Sequence, residues 1–179
     1  METAVVSQLI DQYGMDVMRF CRSLTRCACD AEDLYQQTFL KLLQLRVKVE
    51  REQNPRAFLF SIASGIWKNE CRKWGRRAAI APSSSLEELQ EQPPLEPQDG
   101  GDLQQQVLDR MCQQELARAV QRLEEKYRSP VILMYRFGMG IDEIARIERV
   151  PKGTIKSRLS RARKQLRKEM EERGYAQEF

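Results

Sequence analysis

The 179-residue sequence contains no histidine. That removes the commonest general base, the Ser-His and Cys-His catalytic pairs, and mixed Cys/His zinc sites. No phosphate-cradling loop or dinucleotide-binding glycine motif occurs. The side chains with chemistry to offer are the charged ones, and that chemistry is electrostatic. Thirty Lys and Arg stand against 26 Asp and Glu, a formal charge of +4, and they are sharply segregated. Residues 151–168 hold eight bases and no acid, and residues 54–77 hold six bases and one acid. Between them, residues 78–102 hold six acids and no base. Two basic segments around an acidic spacer point to a polyanion gripped at two places.

The remaining reactive groups are five cysteines, Cys21, Cys27, Cys29, Cys71 and Cys112. An odd number without a secretion signal reads as reduced thiols in the cytoplasm. Cys27 and Cys29 with nearby Cys21 form only a weak soft-metal or oxidant-sensing pattern, because no fourth ligand is near. Neither a metal nor a cofactor is expected. No run of about eighteen apolar residues occurs, so no membrane span is expected. The first residues, Met1-Glu2-Thr3, carry no basic region leading into an apolar core.

Helices must position the bases. Residues 4–26 carry Val5, Leu9, Val17, Phe20 and Leu24 at helical spacing, although Gly14 weakens the middle. A second helix is predicted to start at Asp30 as N-cap, with Glu32 and Asp33 at the positive end of its dipole. Asn54-Pro55 starts a third helix, because Asn accepts an orphan N–H and Pro at the first position loses no bond. It runs to about residue 75, roughly 30 Å. Residues 46–53 read as a loop. The spacer 78–102 holds four of seven prolines, three consecutive serines and Gly100-Gly101, so it reads as a linker with at most a turn at 86–89. Helices follow over 103–123, 127–137, 141–147 and 151–173. No strand is predicted. The expected fold is all-α: two small helical domains, 1–77 and 103–179, joined by a flexible acidic linker.

Residues 138–167 have the layout of a helix-turn-helix. Ile155, Leu159, Ala162 and Leu166 fall within about 40° on a helical wheel. Ser157, Ser160, Arg161, Lys164 and Lys168 lie opposite, flanked by Lys156 and Arg167, and Gly153 faces outward near the start. Such a face suits a major groove, with Arg and Lys on guanine edges and flanking bases on phosphates. A merely solvated helix would mix signs. On the third helix, Ser61, Ser64, Lys68 and Arg72 oppose Leu59, Ile62, Ala63 and Ile66, with Arg76 beside them. Phe60, Trp67 and Trp74 form a side stripe that reads as packing rather than base stacking. The second helix shows Asp33, Gln36 and Gln37 beside Phe39, Leu40 and Leu43. That surface either docks a protein partner or is buried within its own domain, and spacing alone does not choose.

Taken together the chain resembles the extracytoplasmic-function group of the sigma-70 family of bacterial RNA polymerase sigma factors. The segment Ala-Glu-Asp-Leu-Tyr-Gln-Gln-Thr-Phe at 31–39 resembles the family's core-polymerase-binding segment. Asn-Pro-Arg-Ala-Phe-Leu-Phe-Ser-Ile-Ala at 54–63 resembles the start of its minus-ten helix. Residues 127–133, 141–145 and above all 150–163 (Val-Pro-Lys-Gly-Thr-Ile-Lys-Ser-Arg-Leu-Ser-Arg-Ala-Arg) resemble its minus-thirty-five domain. The resemblance implies a region 2-like domain over 1–77 and a region 4-like domain over 103–179. It implies that Asp33, Gln36, Gln37, Phe39, Leu40 and Leu43 meet core polymerase. Asn54, Arg56, Ser61, Ser64, Lys68, Asn69, Arg72 and Arg76 would meet melted minus-ten DNA. Lys152, Thr154, Lys156, Ser157, Ser160, Arg161, Lys164 and Arg167 would meet the minus-thirty-five duplex. The partners implied are core polymerase, promoter DNA and, by family habit, an anti-sigma factor, for a cytoplasmic chain that is monomeric when free and catalyses nothing itself. The chain departs from the family pattern at Ser61, Ser64 and Gly65, where members often carry Arg or Asn. Two rivals are a helix-turn-helix regulator acting without polymerase, which leaves the second and third helices idle, and a helical scaffold, which leaves the charge segregation unexplained.

Overall fold

The computed structural model describes residues 2–45, 54–80 and 103–175. The expected loop at 46–53 and residues 81–102 of the spacer, with the turn expected at 86–89, lie outside the described residues. Seven helices follow in order: α1 Glu2–Leu24, α2 Ala28–Gln44, α3 Pro55–Ile80, α4 Leu103–Arg122, α5 Glu125–Tyr135, α6 Ile141–Glu148 and α7 Lys152–Glu172. No strand occurs among the described residues. Helix α3 continues past residue 75 and takes in 78–80, the first residues of the expected linker.

Helix α2 starts earlier than its composition suggests. Its N-cap is Cys27, whose Sγ accepts the backbone N–H of Asp30 at 3.3 Å. Asp30 sits in the first turn instead. The cause lies in the link to α1. Thr25 Oγ1 donates to the carbonyls of Cys21 and Cys27, closing a connection too short to leave Asp30 outside the helix. Gly14 finds its use in the same corner. A Cβ there would lie 2.9 Å from the Tyr35 hydroxyl, so glycine lets α2 approach α1 closely.

Helices α1, α2 and α3 pack as one lobe around Val17, Phe20, Leu24, Ala31, Leu34, Leu59 and Ala63. Helices α4 to α7 form a second lobe around Leu133, Ile144, Ile155, Leu159, Ala162 and Met170. Ion pairs of Arg122 with Glu169 (2.5 Å) and Arg173 with Glu115 (2.6 Å) pin α4 along α7.

The lobes are not separate. Helix α3 lies against α6, and α1 against α5. Phe137, just after α5, enters the first lobe's core: its ring sits 5.7 Å from Phe20 and 4.9 Å from Phe60, edge-on to both. Edge-to-face geometry sets the positive ring edge against a negative face. The last carbonyls of α1 have no partner within their own helix, and the second lobe supplies donors. Arg128 Nη1 donates to Leu24 O at 2.7 Å and Gln121 Nε2 to Ser23 O at 2.9 Å. Arg136 Nη1 donates to Ser23 Oγ at 2.6 Å. Arg128 is buried, and its Nη2 also donates to Leu123 O at the end of α4. Cations at a helix C-terminus also oppose the dipole there.

Arg128 thus satisfies buried carbonyls of both lobes. Arg128→Met is expected to lower stability by about 2–4 kcal/mol, since each orphaned buried carbonyl costs ~1–3 kcal/mol. Arg128→Lys should recover little, lacking the planar fork that spans two acceptors. Urea denaturation followed by far-ultraviolet circular dichroism checks this; a wild-type midpoint for Arg128→Met would refute the capping role.

Candidate nucleic-acid and polymerase interfaces

Helix α7 presents two faces. Ile155, Leu159, Ala162, Leu166 and Met170 are buried, the i, i+4, i+7 pattern of a docked helix. Lys156, Ser157, Ser160, Arg161, Lys164 and Arg167 are all exposed on the other side. Among the described residues no carboxylate lies within ion-pairing distance of Lys156, Arg161, Lys164 or Arg167. The turn before α7 makes this possible. Arg149 takes the left-handed conformation (φ 54°) and caps α6, and the chain reverses through Val150 and Pro151. Lys152 is exposed and pairs with Asp142 at 2.7 Å, a bond that holds the Asp142 carboxyl below its ordinary range. Thr154 is half-buried, and its carbonyl accepts the Ser157 hydroxyl at 2.9 Å. A Cβ at Gly153 would meet nothing, so the helix start is open to an approaching duplex.

On α2, Asp33, Gln36, Gln37, Leu40 and Leu43 share one exposed face. Leu40 is 57% and Leu43 44% exposed, unusual for leucines in a packed helix. Phe39 belongs elsewhere. It is 6% exposed and its ring packs 5.0 Å from Tyr35 in the lobe core. Its position turns it toward Leu34 and Leu42, so the docking face consists of its neighbours.

The basic helix α3 divides in two. Asn69, Arg72 and Arg76 are exposed and, with Lys41 and Lys73, line an open basic groove between α2 and α3. The preceding turns are covered by the second lobe. Ser64, expected to face outward, is 1% exposed, and its hydroxyl donates to Glu148 Oε1 at 2.9 Å. Lys68 Nζ pairs with Glu148 Oε2 at 2.5 Å. Asn54 caps α3 as expected, its Oδ1 accepting from Ala57 N at 3.0 Å, while its Nδ2 donates to Glu143 Oε1 at 3.0 Å. Arg56 pairs with Asp16 at 2.8 Å and lies over the rings of Phe60 and Phe137. The Ser61 hydroxyl donates to Phe58 O within the helix. Of the aromatic stripe, Phe60 and Trp67 are core, and Trp74 is 40% exposed, edge-on to Trp67.

Sequence reasoning missed Glu148, Phe137 and Arg128. The signal for Glu148 was present: it shares the i, i+3, i+4, i+7 stripe of α6 with Ile141, Ile144 and Ala145, a lone acid on an apolar face. Among the described residues no three His, Cys, Asp or Glu side chains gather to hold a metal. Burial pushes the Cys21 thiol up to about 12 and the Cys71 thiol to about 11, so both stay protonated and unreactive near neutrality.

Comparison with known proteins agrees with this geometry. The model of Sigma-70 region 2 matches residues 9–77, and that of Sigma-70, region 4 matches residues 113–166. The ECF RNA polymerase sigma factor EcfG of Rhodopseudomonas palustris is 31% identical over 147 residues, covering 82% of this chain and 75% of its own. The ECF RNA polymerase sigma factor SigL of Mycobacterium tuberculosis is 28% identical over 174 residues, 97% of this chain and 93% of its own. Among solved structures, the sigma factor RpoE bound to the anti-sigma factor NepR from Bartonella quintana superposes with a TM-score of 0.70. It is 27% identical and covers 92% of this chain and 96% of its own. CnrH in complex with the cytosolic domain of CnrY, 20% identical, shares the fold with a TM-score of 0.61, covering 95% of this chain and 90% of its own. The chain belongs to the extracytoplasmic-function group of the sigma-70 family. It is an RNA polymerase sigma factor, a transcription-initiation protein that works with core polymerase on promoter DNA.

The open face of α7 generates a prediction. Arg161 projects from the exposed face about two and a half turns into the helix, still within the part of a docked recognition helix that can reach base edges. Arg161→Ala should cost about 1–3 kcal/mol and relax preference at one or two minus-thirty-five positions. Arg167→Ala should weaken all sequences alike and lower the salt slope by about one unit, as for a lost phosphate contact. Competition of each variant holoenzyme against single-base minus-thirty-five substitutions at several salt concentrations separates the two. Identical specificity profiles for wild type and Arg161→Ala would reassign base reading to Lys156 and Ser157.

Proposed function

We propose that the chain divides its work between a region 2-like domain at 1–77 and a region 4-like domain at 103–179, with 78–102 linking them. The exposed α2 face of Asp33, Gln36, Gln37, Leu40 and Leu43 grips core polymerase. Phe39 supports that face from beneath. The basic side of α3 receives melted minus-ten DNA: Asn69, Arg72 and Arg76 through the open groove, and Ser61, Ser64, Lys68, Asn54 and Arg56 once the second lobe moves away. The exposed face of α7 reads the minus-thirty-five duplex, with Lys152 and Thr154 at its entrance. The chain contributes positioning and charge, and polymerase performs the chemistry. It acts in the cytoplasm, where polymerase and promoter are. No described helix is long and apolar enough to cross a membrane. An anti-sigma factor, as found on the relative RpoE, is a further partner we propose.

The observation that carries this reading is the pair of unpartnered faces on one chain. One is mixed polar and leucine-rich on α2; the other is basic, on α7, where Lys156, Arg161, Lys164 and Arg167 have no carboxylate at ion-pairing distance among the described residues. A regulator acting without polymerase has no use for the first.

Two experiments test it. Asp33→Arg with Gln36→Ala should weaken co-purification with core polymerase about tenfold or more, the equivalent of ~1.4 kcal/mol, at an unchanged circular dichroism spectrum. Undiminished binding would remove α2 from the interface. Arg72→Ala with Arg76→Ala should leave closed complexes intact but reduce permanganate-detected opening near the start site several-fold, with rescue on a pre-melted template. Equal loss on duplex and pre-melted templates would mean the groove does not receive the melted strand.

A further inference from the structure

Glu148 ends α6, and its side chain is fully buried (0% exposed). An ionised carboxylate without water is costly unless ion pairs and hydrogen bonds replace its hydration. Its partners come from both lobes. Oε1 accepts Ser64 Oγ of α3 at 2.9 Å and Ser129 Oγ of α5 at 2.6 Å. Oε2 faces Lys68 Nζ of α3 at 2.5 Å and Arg158 Nη1 of α7 at 3.8 Å. Lys68 Nζ also donates to the Glu148 carbonyl at 3.3 Å. A DNA phosphate presents the same chemistry as this carboxylate, an anion accepting from lysine and hydroxyl donors.

We propose that Glu148 is a latch that competes with promoter DNA for Ser64 and Lys68, keeping this part of α3 covered until the lobes part. The proposal rests on the reading of α3 given above. The geometry makes the latch reversible. When the lobes part, Ser129 and Arg158 stay with Glu148 in its own lobe and water replaces the α3 donors, so opening strands no charge. The other cross-lobe contacts must be released with it: the Phe137 ring between Phe20 and Phe60, the Asn54–Glu143 hydrogen bond, and the Arg128, Gln121 and Arg136 donors at the end of α1, whose acceptors water must then satisfy. The α2 face and the α7 face both point outward from the closed chain. The closed chain can therefore meet polymerase through α2 and duplex through α7 while Ser64 and Lys68 stay hidden.

Small-angle scattering of the full-length chain reads closure directly. Lys68→Glu sets two acids face to face and should raise the radius of gyration, with the open population growing at least about tenfold, since losing one partner of a buried pair is strongly unfavourable. Adding Glu148→Lys to Lys68→Glu should return the radius toward wild type. No expansion in Lys68→Glu, or no recovery in the exchanged pair, overturns the latch. Should Lys68→Glu lose helix by circular dichroism, Glu148→Gln serves instead: it keeps an acceptor for both serines, removes the charge that holds Lys68, and should also expand the chain. With core polymerase at limiting concentrations of the factor, Glu148→Gln should form open complexes several-fold faster than wild type. An unchanged rate overturns the competition with DNA even if scattering shows opening. Scattering does not depend on what α3 binds, so failure of the minus-ten assignment is seen separately, in the Arg72 and Arg76 variants.

Discussion

A buried carboxylate must be neutralised where it sits, and Glu148 organises the middle of this protein around that requirement. Two hydroxyls and two cations converge on it, drawn from α3, α5 and α7. Glu125, half-buried nearby, has its pKa raised by burial and by the Glu148 charge, so a second carboxylate in this region is disfavoured. Arg128 and Lys68 offset it. Pairs of this kind contribute little net stability, because desolvation cancels most of the attraction. What they do is specify one arrangement, since few relative placements of the lobes satisfy the carboxylate. The free energy of closure comes instead from apolar contact, chiefly Phe137 against Phe20 and Phe60, and from donors of α4 and α5 that satisfy the end of α1.

This seam sorts the protein's surfaces. Faces turned away from it stay open and keep unpartnered charge or leucine, as on α2 and α7. Faces turned toward it are covered, whatever their composition. Helix α3 belongs to both groups: its first turns lie in the seam and the turns from Asn69 to Arg76 lie outside it. One helix thus carries six cationic side chains, and four of them, Arg56, Lys68, Arg72 and Arg76, are in two different states. The first two are engaged with acids of the fold, at Asp16 and Glu148, and the last two, among the described residues, bond to Asn69 and to carbonyls of their own helix.

The helices, their order and the inward stripe of α7 were legible from the sequence because they rest on local rules: apolar period, caps and charge runs. The stripe Ile155, Leu159, Ala162, Leu166 is the core of the second lobe, and its opposite face is the exposed basic surface. What local rules could not supply was the relation between lobes. A wheel of α3 sets Ser64 and Lys68 opposite Leu59, Ile62 and Ala63, and a single amphipathic helix would expose them. Here α3 is buried on two sides, so its polar flank becomes interior. Phe39 fails as a surface residue for a related reason. Spacing placed it near Leu40 and Leu43, but the crossing of α2 over α1 and α3 decided which neighbour turned inward. The start of α2 was missed by three residues because a cysteine, rarely a cap, does the capping.

The seam also accounts for one departure of this chain from its family. The family resemblance implies a longer side chain such as Arg or Asn at the position of Ser64, which taken alone suggests a weakened DNA face. In the structure Ser64 is 1% exposed where α3 packs on α6, with its hydroxyl on the Glu148 carboxylate. A guanidinium there is far bulkier than a hydroxyl and would compete with Lys68 for the one carboxylate. A small hydroxyl lets the helices meet and still gives the carboxylate a donor. The same logic does not reach Gly65, which is exposed with open space where a Cβ would stand, or Ser61, whose hydroxyl bonds within its own helix. Gly65 has open space around it, so nothing in the closed arrangement requires it to be small. On the proposed opening, a constraint on Gly65 would come from what then meets α3, whereas Ser64 would answer to both arrangements at once.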